Sequence, residues 1–297
     1  MEQSGTTMRF VNRLARALAK DYPNVSIETY GYYSQPPRKA LPESNVIIKW
    51  VTGTDHRYAI DDPTFEKNRK QFAEMLVWKN IVGKGWLYSW TYLTRSPDFM
   101  VPNPNLHHLA RNIRIMNNHR VRGMFAQMQQ SRATQMQNLR YYLAARCMWR
   151  PQTTDGQKEI EEFCYLYYNE AGDDVLDYID FLHDEYGDKA PDASKLDQRF
   201  IEEANVIFDR AEAKVTAPEV AVRVATYRLP VWKLMLDRAF GTAGQVHDFP
   251  VTWYFRLDLE DQGQKDGWEK TTDFEGWRTM RIDKHWPKQG EKRRGVA

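Results

Sequence analysis

Aromatic and amide side chains stand where four short strand-like segments are predicted to end. These candidate binding residues are Tyr32, Tyr33, Trp50, Trp90, Tyr92 and Gln127. Apolar walls with a few fixed polar groups are typical of small-molecule sites, and aromatic rings stack on the apolar faces of pyranoses. We therefore predict that these side chains bind carbohydrate. The alternative is that aromatic residues on strands belong to the core.

Glycoside hydrolysis generally needs two carboxyl groups, and the candidates here are few. Asp55 stands beside His56 after the second predicted strand. A carboxylate can hold a histidine in one tautomer, in which it serves as acid or base. The alternative is a solvated loop pair. Glu28, in mid-strand, could point into a barrel or face a helix. Asp61 and Asp62 are predicted helix caps.

The sequence predicts no metal ion and no cofactor. His107 and His108 are adjacent on a predicted helix and therefore point in different directions, and Asn105 before them is interpreted as a helix cap. Cys147 and Cys164 fit no metal-ligand spacing, and their apolar helical surroundings predict buried, inert thiols. No phosphate-binding glycine loop and no G-x-S-x-G sequence is present.

Charge and composition exclude several classes of partner. The 42 Lys and Arg residues nearly balance 40 Asp and Glu residues, and the interspersed signs predict no nucleic-acid partner. No apolar run is long enough to span a membrane. The 297 residues are 42% hydrophobic and 13% aromatic, which indicates a globular protein.

The elements that position these residues alternate between helix and strand up to about residue 150. Strands are predicted at 25–33, 45–51, 85–92 and 121–127. Strands separated by helices imply parallel pairing and an α/β sheet. A closed (β/α)8 barrel needs eight strands, and a doubly wound sheet usually has five or more. The four strands therefore look like half of a larger sheet; that this is the C-terminal half of a (β/α)8 barrel is implied by the family resemblance described below.

The rest of the chain changes character twice. Residues 155–241 carry apolar stripes at helical spacing, and after residue 244 strand patterns alternate with glycine-bearing turns. We expect a half-barrel over 1–152, a helical region packed on it over 153–243, and the first strands of an incomplete β-sandwich over 244–297.

Several segments together resemble a family of uncharacterised bacterial glycoside-hydrolase-like domains related to α-glucuronidases. They include SIETYGYYSQPPRKALPESNVII, WLYSWTY, PNPNLHHLARNIRIMNNHRVRGMF and LRYYLAARCMWRP, and their order agrees over roughly residues 8–240. The tail from WYFRLD onward resembles the start of a galactose-binding-like jelly-roll domain that accompanies glycosidases. The resemblance implies a (β/α)8 barrel whose first half precedes this chain, so we expect a fragment truncated at both ends.

The chain departs from that family at two positions. The family usually has an acidic residue where Thr91 stands, and often a glutamate where Ala126 precedes Gln127. The resemblance implies a parent protein that hydrolyses a glycosidic bond in an oligosaccharide or polysaccharide, and a fragment that is inactive alone. The missing carboxylates favour an alternative, a non-catalytic carbohydrate-binding protein. A third interpretation is a helical assembly module built on residues 155–241.

Two further expectations concern the partners of this chain and the location of its parent protein. Unpaired strand edges predict pairing with the missing N-terminal half, or self-association through those edges. The resemblance implies a periplasmic or extracellular parent, although MEQSGTTMRF has no secretion signal.

Overall fold

The structure is a computed structural model that describes residues 3–31, 36–83, 85–94, 99–128, 134–187, 196–240, 252–255, 263 and 265–281. The chain forms two compact units, Met1–Leu236 and Asp237–Ala297. The first contains one four-stranded sheet in the order β1-β2-β3-β4, with every neighbouring pair parallel. Its strands are β1 (Ile27–Gly31), β2 (Val46–Val51), β3 (Trp86–Tyr92) and β4 (Val121–Gln127).

Helices alternate with these strands and then continue alone. The first four are α1 (Gln3–Asp21), α2 (Glu66–Ile81), α3 (Leu106–Asn118) and α4 (Gln137–Trp149). The helical region consists of α5 (Gly156–Tyr168), α6 (Gly172–Tyr186), α7 (Gln198–Lys214) and α8 (Pro218–Phe240). The predicted α/β sheet of four parallel strands and the predicted helical region after it are both confirmed.

The two faces of the sheet differ in burial because side chains alternate along a strand. In β2, Val46, Ile48 and Trp50 are fully buried. Lys49, between them, has the opposite orientation and is only partly buried. Helices α1, α2 and α3 pack against the sheet, and their buried residues join Val46, Ile48 and Trp50 in one core. One face is therefore a core layer, while Lys49 marks the other.

The helical region shares its core with the sheet. The buried residues of α5 to α8 continue the cluster that contains the sheet's core layer. Cys147 and Cys164 are free and buried in it, as predicted, and burial raises the pKa of each thiol to about 12. A deprotonated thiolate is the reactive form, so neither cysteine is a nucleophile at neutral pH.

The predicted helix caps Asp62 and Asn105 differ in outcome. Phe65 is the N-cap residue of α2, whereas the Asp62 carboxylate accepts the backbone N–H of Thr64 at 2.8 Å in the preceding turn. Asn105 is the N-cap residue of α3 but makes no capping bond. His183 Nε2 instead accepts the Leu106 N–H at 3.0 Å. Sequence spacing missed this cap because His183 comes from α6, far along the chain.

The second unit contains one antiparallel pair of strands. They are β5 (Thr252–Phe255) and β6 (Arg278–Arg281), with a short 3-10 helix at Trp268–Lys270 between them. The Tyr254 and Phe274 rings stack at 4.2 Å. Strand pairing in this part of the chain agrees with the alternating sequence pattern, and the jelly-roll interpretation stays a prediction.

A search of the described helices found none with the length and apolar character needed to cross a bilayer.

Candidate functional site

The sheet face opposite the core layer carries a row of aromatic rings that are open to solvent. Tyr30 on β1 is 53% exposed, Trp86 on β3 is 52% exposed and Phe125 on β4 is 47% exposed. Trp90 lies between Tyr30 and Phe125, with ring centroids 5.6 Å and 4.6 Å away. Tyr30, Trp86, Tyr88, Trp90 and Phe125 together are called the aromatic face below. Their large exposed area marks the face as a candidate interaction surface.

The Trp90 ring is held in place from two sides. Its indole N–H donates to the Gln127 side-chain oxygen at 2.8 Å across the β3–β4 pair. Its ring meets Phe125 nearly edge-on, at an interplanar angle of 68°. An aromatic ring fixed before a ligand arrives loses little conformational entropy on binding. Trp90 is therefore the best-positioned stacking residue of this face.

Tyr88 explains a glycine in the neighbouring strand. The Tyr88 ring lies over Gly123, where an added Cβ would come within 2.9 Å of the ring carbons. The ring centroids of Trp86 and Tyr88 are 6.1 Å apart. The absent side chain at Gly123 therefore lets the rings continue from β3 toward β4.

One ion pair lies among these rings. Lys49 Nζ is 2.6 Å from a carboxylate oxygen of Glu28. It is also 5.6 Å from the Tyr30 ring centroid and 5.8 Å from that of Trp90, within cation–π range. Glu28 thus points to the open face, one of the two orientations expected for it. Charged groups that can form hydrogen bonds therefore lie beside aromatic rings on this face.

The predicted binding residues fall into three groups. Trp90 and Gln127 meet on the aromatic face, and Tyr92 has the same strand orientation and pairs with Gln127. Trp50 lies on the core layer, where it is 0% exposed and close to Glu74 of α2. The prediction that Trp50 contacts a sugar is therefore corrected, because its alternation places it under the helices. Tyr32 and Tyr33 lie outside the described residues.

His56 lies at the carboxyl end of the strands. Its Nε2 is 3.1 Å from the Thr91 hydroxyl oxygen. The Thr91 oxygen accepts a hydrogen bond from the Thr52 hydroxyl at 3.4 Å. Burial lowers the pKa of His56 to about 4, with Asp55 opposing that shift and Lys67 adding to it. His56 is consequently neutral at physiological pH and available as a hydrogen-bonding group.

Asp55 does not orient His56 as predicted. Its carboxylate binds Arg57 instead, with the guanidinium Nε at 2.9 Å and Nη2 at 2.6 Å. Burial raises the pKa of Asp55, but the hydrogen bonds and charge of Arg57 outweigh it and leave the pKa lowered. A carboxyl group of this kind stays ionised and is a poor general acid.

Two buried asparagines hold the loop that carries His56. Asn68 of α2 accepts the Asp55 N–H at 2.7 Å and donates to the Asp55 and Ala59 carbonyls. Asn112 of α3 accepts the Ile60 N–H at 2.8 Å. Because buried amides of a loop must find partners, these side chains determine the path between β2 and α2.

Arg140 is hydrogen-bonded to the loops that follow β3 and β4. It is fully buried and donates to the carbonyl oxygens of Leu93, Asn103 and Gln135. It also donates to the side-chain oxygens of Asn105 and Gln135. Burial lowers its pKa to about 10. These bonds connect the segments that follow β3 and precede α3 and α4.

Comparison with known proteins identifies the family. Residues 1–180 match the profile of the domain of unknown function DUF4838. The chain belongs to this family. Searches of curated proteins and of solved structures found no significant match.

The DUF4838 chain presents few carboxylates at this site. Glu28 pairs with Lys49 on the aromatic face, and Asp55 pairs with Arg57 at the strand ends. Burial raises the pKa of Glu74, but Glu74 lies beside Trp50 and Trp78 on the helix side. Asp98, the acidic residue of the sequence between β3 and α3, is outside the described residues. Within the described part of the chain, no group of three His, Cys, Asp or Glu side chains is placed to hold a metal ion.

Sequence reasoning missed part of the DUF4838 aromatic face. Tyr30, Trp86 and Phe125 precede the last residues of the predicted strands 25–33, 85–92 and 121–127, so a prediction based on strand ends does not include them. The alternation signal was present: Lys49 is the one charged residue of β2, so its orientation marks the open face and excludes Trp50. Applied along β3, the same rule selects Trp86, Tyr88, Trp90 and Tyr92 together.

Proposed function

We propose that this chain binds carbohydrate through the aromatic face, with Trp90 as its central stacking residue. The observation that carries the proposal is the arrangement around Trp90. Its ring lies between two other aromatic residues, its N–H is tied to Gln127 and the Lys49–Glu28 ion pair is adjacent. Rings for apolar sugar faces and charges for hydroxyls occur on one open surface.

Binding without hydrolysis is the form of the proposal that the described carboxylates favour. Both retaining and inverting glycosidases use a pair of carboxyl groups, one of which is protonated before reaction. Glu28 and Asp55 are each paired with a cation, and the bonds and charge of Arg57 leave the pKa of Asp55 lowered, so that Asp55 stays ionised. Thr91 and Ala126 stand where the resembling family often has acids. Hydrolysis by a longer parent would need acids from outside the described residues.

The wider interpretation is that the four strands are half of a (β/α)8 barrel. Parallel order β1-β2-β3-β4 with helices on one face is the arrangement that a barrel wall has. The aromatic face would then point into the barrel, and Trp90 and Gln127 would lie toward the carboxyl-terminal end of the strands, where such enzymes bind substrates. The relation to α-glucuronidases and the jelly-roll start in residues 244–297 rest on sequence resemblance and belong to the same proposal.

Replacing Trp90 by alanine tests the proposal. We expect the chain to bind at least one oligosaccharide from a panel of linear plant and host glycans, by isothermal titration calorimetry. We expect Trp90→Ala to weaken that binding about tenfold or more, since truncating a central tryptophan contact costs about 1–2 kcal/mol or more.

Trp149 supplies a matched control. It is 84% exposed at the end of α4, and it is not part of the aromatic face. Trp149→Ala should leave the affinity unchanged. No saturable binding to any glycan of the panel, or equal affinities for the two variants, would contradict the proposal. Release of the aryl group from aryl glycosides by the purified chain would contradict the non-catalytic form.

A further inference from the structure

A cavity of about 340 Å³ lies between the start of α4, the end of α5 and α8, apart from the aromatic face. Its volume is at the lower end of the range of about 300–1,000 Å³ for small-molecule sites. Polar side chains line much of it, notably Gln137, Asn138, Tyr167, Arg223 and Tyr227. No residue of the aromatic face is among its lining residues, so it is a separate site.

Two shielded polar atoms of this lining have no partner among the described residues. They are the hydroxyl of Tyr227, a residue that is 5% exposed, and the side-chain oxygen of Gln137. Buried polar atoms nearly always have hydrogen-bond partners, and leaving one unsatisfied is costly. A ligand that fills the cavity therefore has to offer both donors and acceptors, as hydroxyl groups do.

The cavity also carries a fixed positive charge. Arg223 Nη1 donates to the Tyr167 carbonyl at 2.9 Å, and its guanidinium lies 4.4 Å from the Tyr167 ring centroid. Phe163 stacks against the same ring at 4.8 Å. No Asp or Glu lines the cavity, and no described carboxylate forms an ion pair with Arg223.

These features together favour an anionic ligand. A planar guanidinium that is already oriented by stacking binds a carboxylate with little further loss of side-chain freedom. The bond to Tyr167 uses Nη1, and no described residue accepts a hydrogen bond from Nε or Nη2. An uncharged sugar would leave that charge without a counterion inside the cavity.

We propose that this cavity binds a small hydroxylated carboxylate, a class that includes open-chain and cyclic sugar acids. The carboxylate accepts from Arg223, while hydroxyl groups bond to Tyr227 and to the Gln137 oxygen. This site is independent of carbohydrate binding at the aromatic face, because the two surfaces share no residue.

Calorimetric titration of the full chain with D-gluconate and D-galacturonate tests the proposal. We expect saturable binding of at least one of them, and the stronger binder distinguishes an open-chain from a cyclic ligand. D-glucose lacks the carboxylate and acetate lacks the hydroxyls. The affinity of each should therefore be lower than that of the sugar acid by about tenfold or more. Failure of both acids to saturate, or equal binding of acetate, would overturn the proposal.

Three substitutions assign the residues. Arg223→Gln should weaken the sugar acid about tenfold or more, and Arg223→Lys should recover part of the loss because it keeps the charge. Tyr227→Phe removes a hydroxyl that has no partner, so it should lower affinity without lowering the melting temperature of the free chain. Arg223→Gln binding as well as wild type would overturn the assignment.

The controls separate this site from the aromatic face. Arg199 is an exposed arginine of α7 that pairs with Glu203, so Arg199→Gln makes the same charge change elsewhere and should leave affinity unaltered. Trp90→Ala should keep sugar-acid binding. If Trp90→Ala abolished it, the acid would be binding at the aromatic face and the cavity proposal would be wrong.

Discussion

Replacement of Arg140 by leucine is expected to lower the free energy of unfolding by about 3 kcal/mol or more. The guanidinium is fully buried and is bonded to oxygens of Leu93, Asn103, Asn105 and Gln135. Leucine fills the space but provides no donor, and each buried acceptor left unsatisfied costs about 1–3 kcal/mol. Urea denaturation followed by circular dichroism measures the change.

The position is selective for arginine rather than for charge. Arg140→Lys keeps the cation but loses the planar fork of donors that reaches several loops at once, so it should also destabilise the chain, although less than leucine does. Arg199→Leu, at an exposed i,i+4 pair, should change stability by about 0.5 kcal/mol or less. If Arg140→Leu were as mild as Arg199→Leu, the role of Arg140 in holding the loops would be refuted.

Acidification from about pH 7 to pH 4.5 is expected to destabilise the fold by about 2.5 kcal/mol for each of two histidines whose pKa is strongly lowered. Burial lowers the pKa of His56 to about 4 and that of His183 to about 3. The unfolded chain takes up these protons below its ordinary pKa of 6.5, while the folded chain does not. The contribution is therefore absent above pH 6.5 and grows as the pH falls toward the folded pKa.

The contacts of His183 explain why its protonation destabilises the fold. Its Nε2 accepts the Leu106 N–H, its Nδ1 is bonded to the Ile179 carbonyl at 2.7 Å, and its ring stacks on His107 at 3.8 Å. Protonation would convert the acceptor into a donor and remove the cap of α3. Burial raises the pKa of Asp180 and of Glu74, and these two groups oppose part of the loss.

Unfolding free energies at several pH values check this. His183→Asn and His56→Gln should each remove a large part of the pH-dependent loss, and the double variant should remove most of it. What remains comes from His119, whose pKa burial also lowers, and from the opposing carboxyl groups Asp180 and Glu74. The window ends at about pH 4.5 because carboxylates whose pKa is lowered, such as Asp55 and Glu159, titrate below it. A stability that does not change over this range, or a double variant with the wild-type slope, would contradict the assignment.

Local sequence patterns predicted the elements well because their causes are local. Val46–Val51 and Trp86–Tyr92 are rich in β-branched and aromatic residues, which favour strands. Leu106, Leu109, Ile113 and Met116 recur at helical spacing and are all buried in α3. Alternation of such segments implies a parallel sheet, and the structure has one. Burial of these residues needs only the correct period, not a particular partner.

The site was predicted less well, because pairing between distant residues decides it. Asp55 and His56 are adjacent in sequence, yet Asp55 binds Arg57 and His56 meets Thr91 from the next strand. Trp50 was selected for its type and its place at a strand end, but its orientation puts it under α2. Trp90 and Gln127, both predicted binding residues, lie side by side on the open face, but their mutual hydrogen bond depends on the register of β3 and β4.

The amino-acid sequence by itself determined the order of the elements and the α/β class, since each follows from a residue period along one segment. Only the tertiary structure decided which face of the sheet is open, that the side chain of His183 rather than that of Asn105 bonds the first N–H of α3, and that Arg140 holds the loops together. Those features arise where segments far apart in the chain meet. Their energies come from desolvation and from the partners that burial supplies, which no single segment contains.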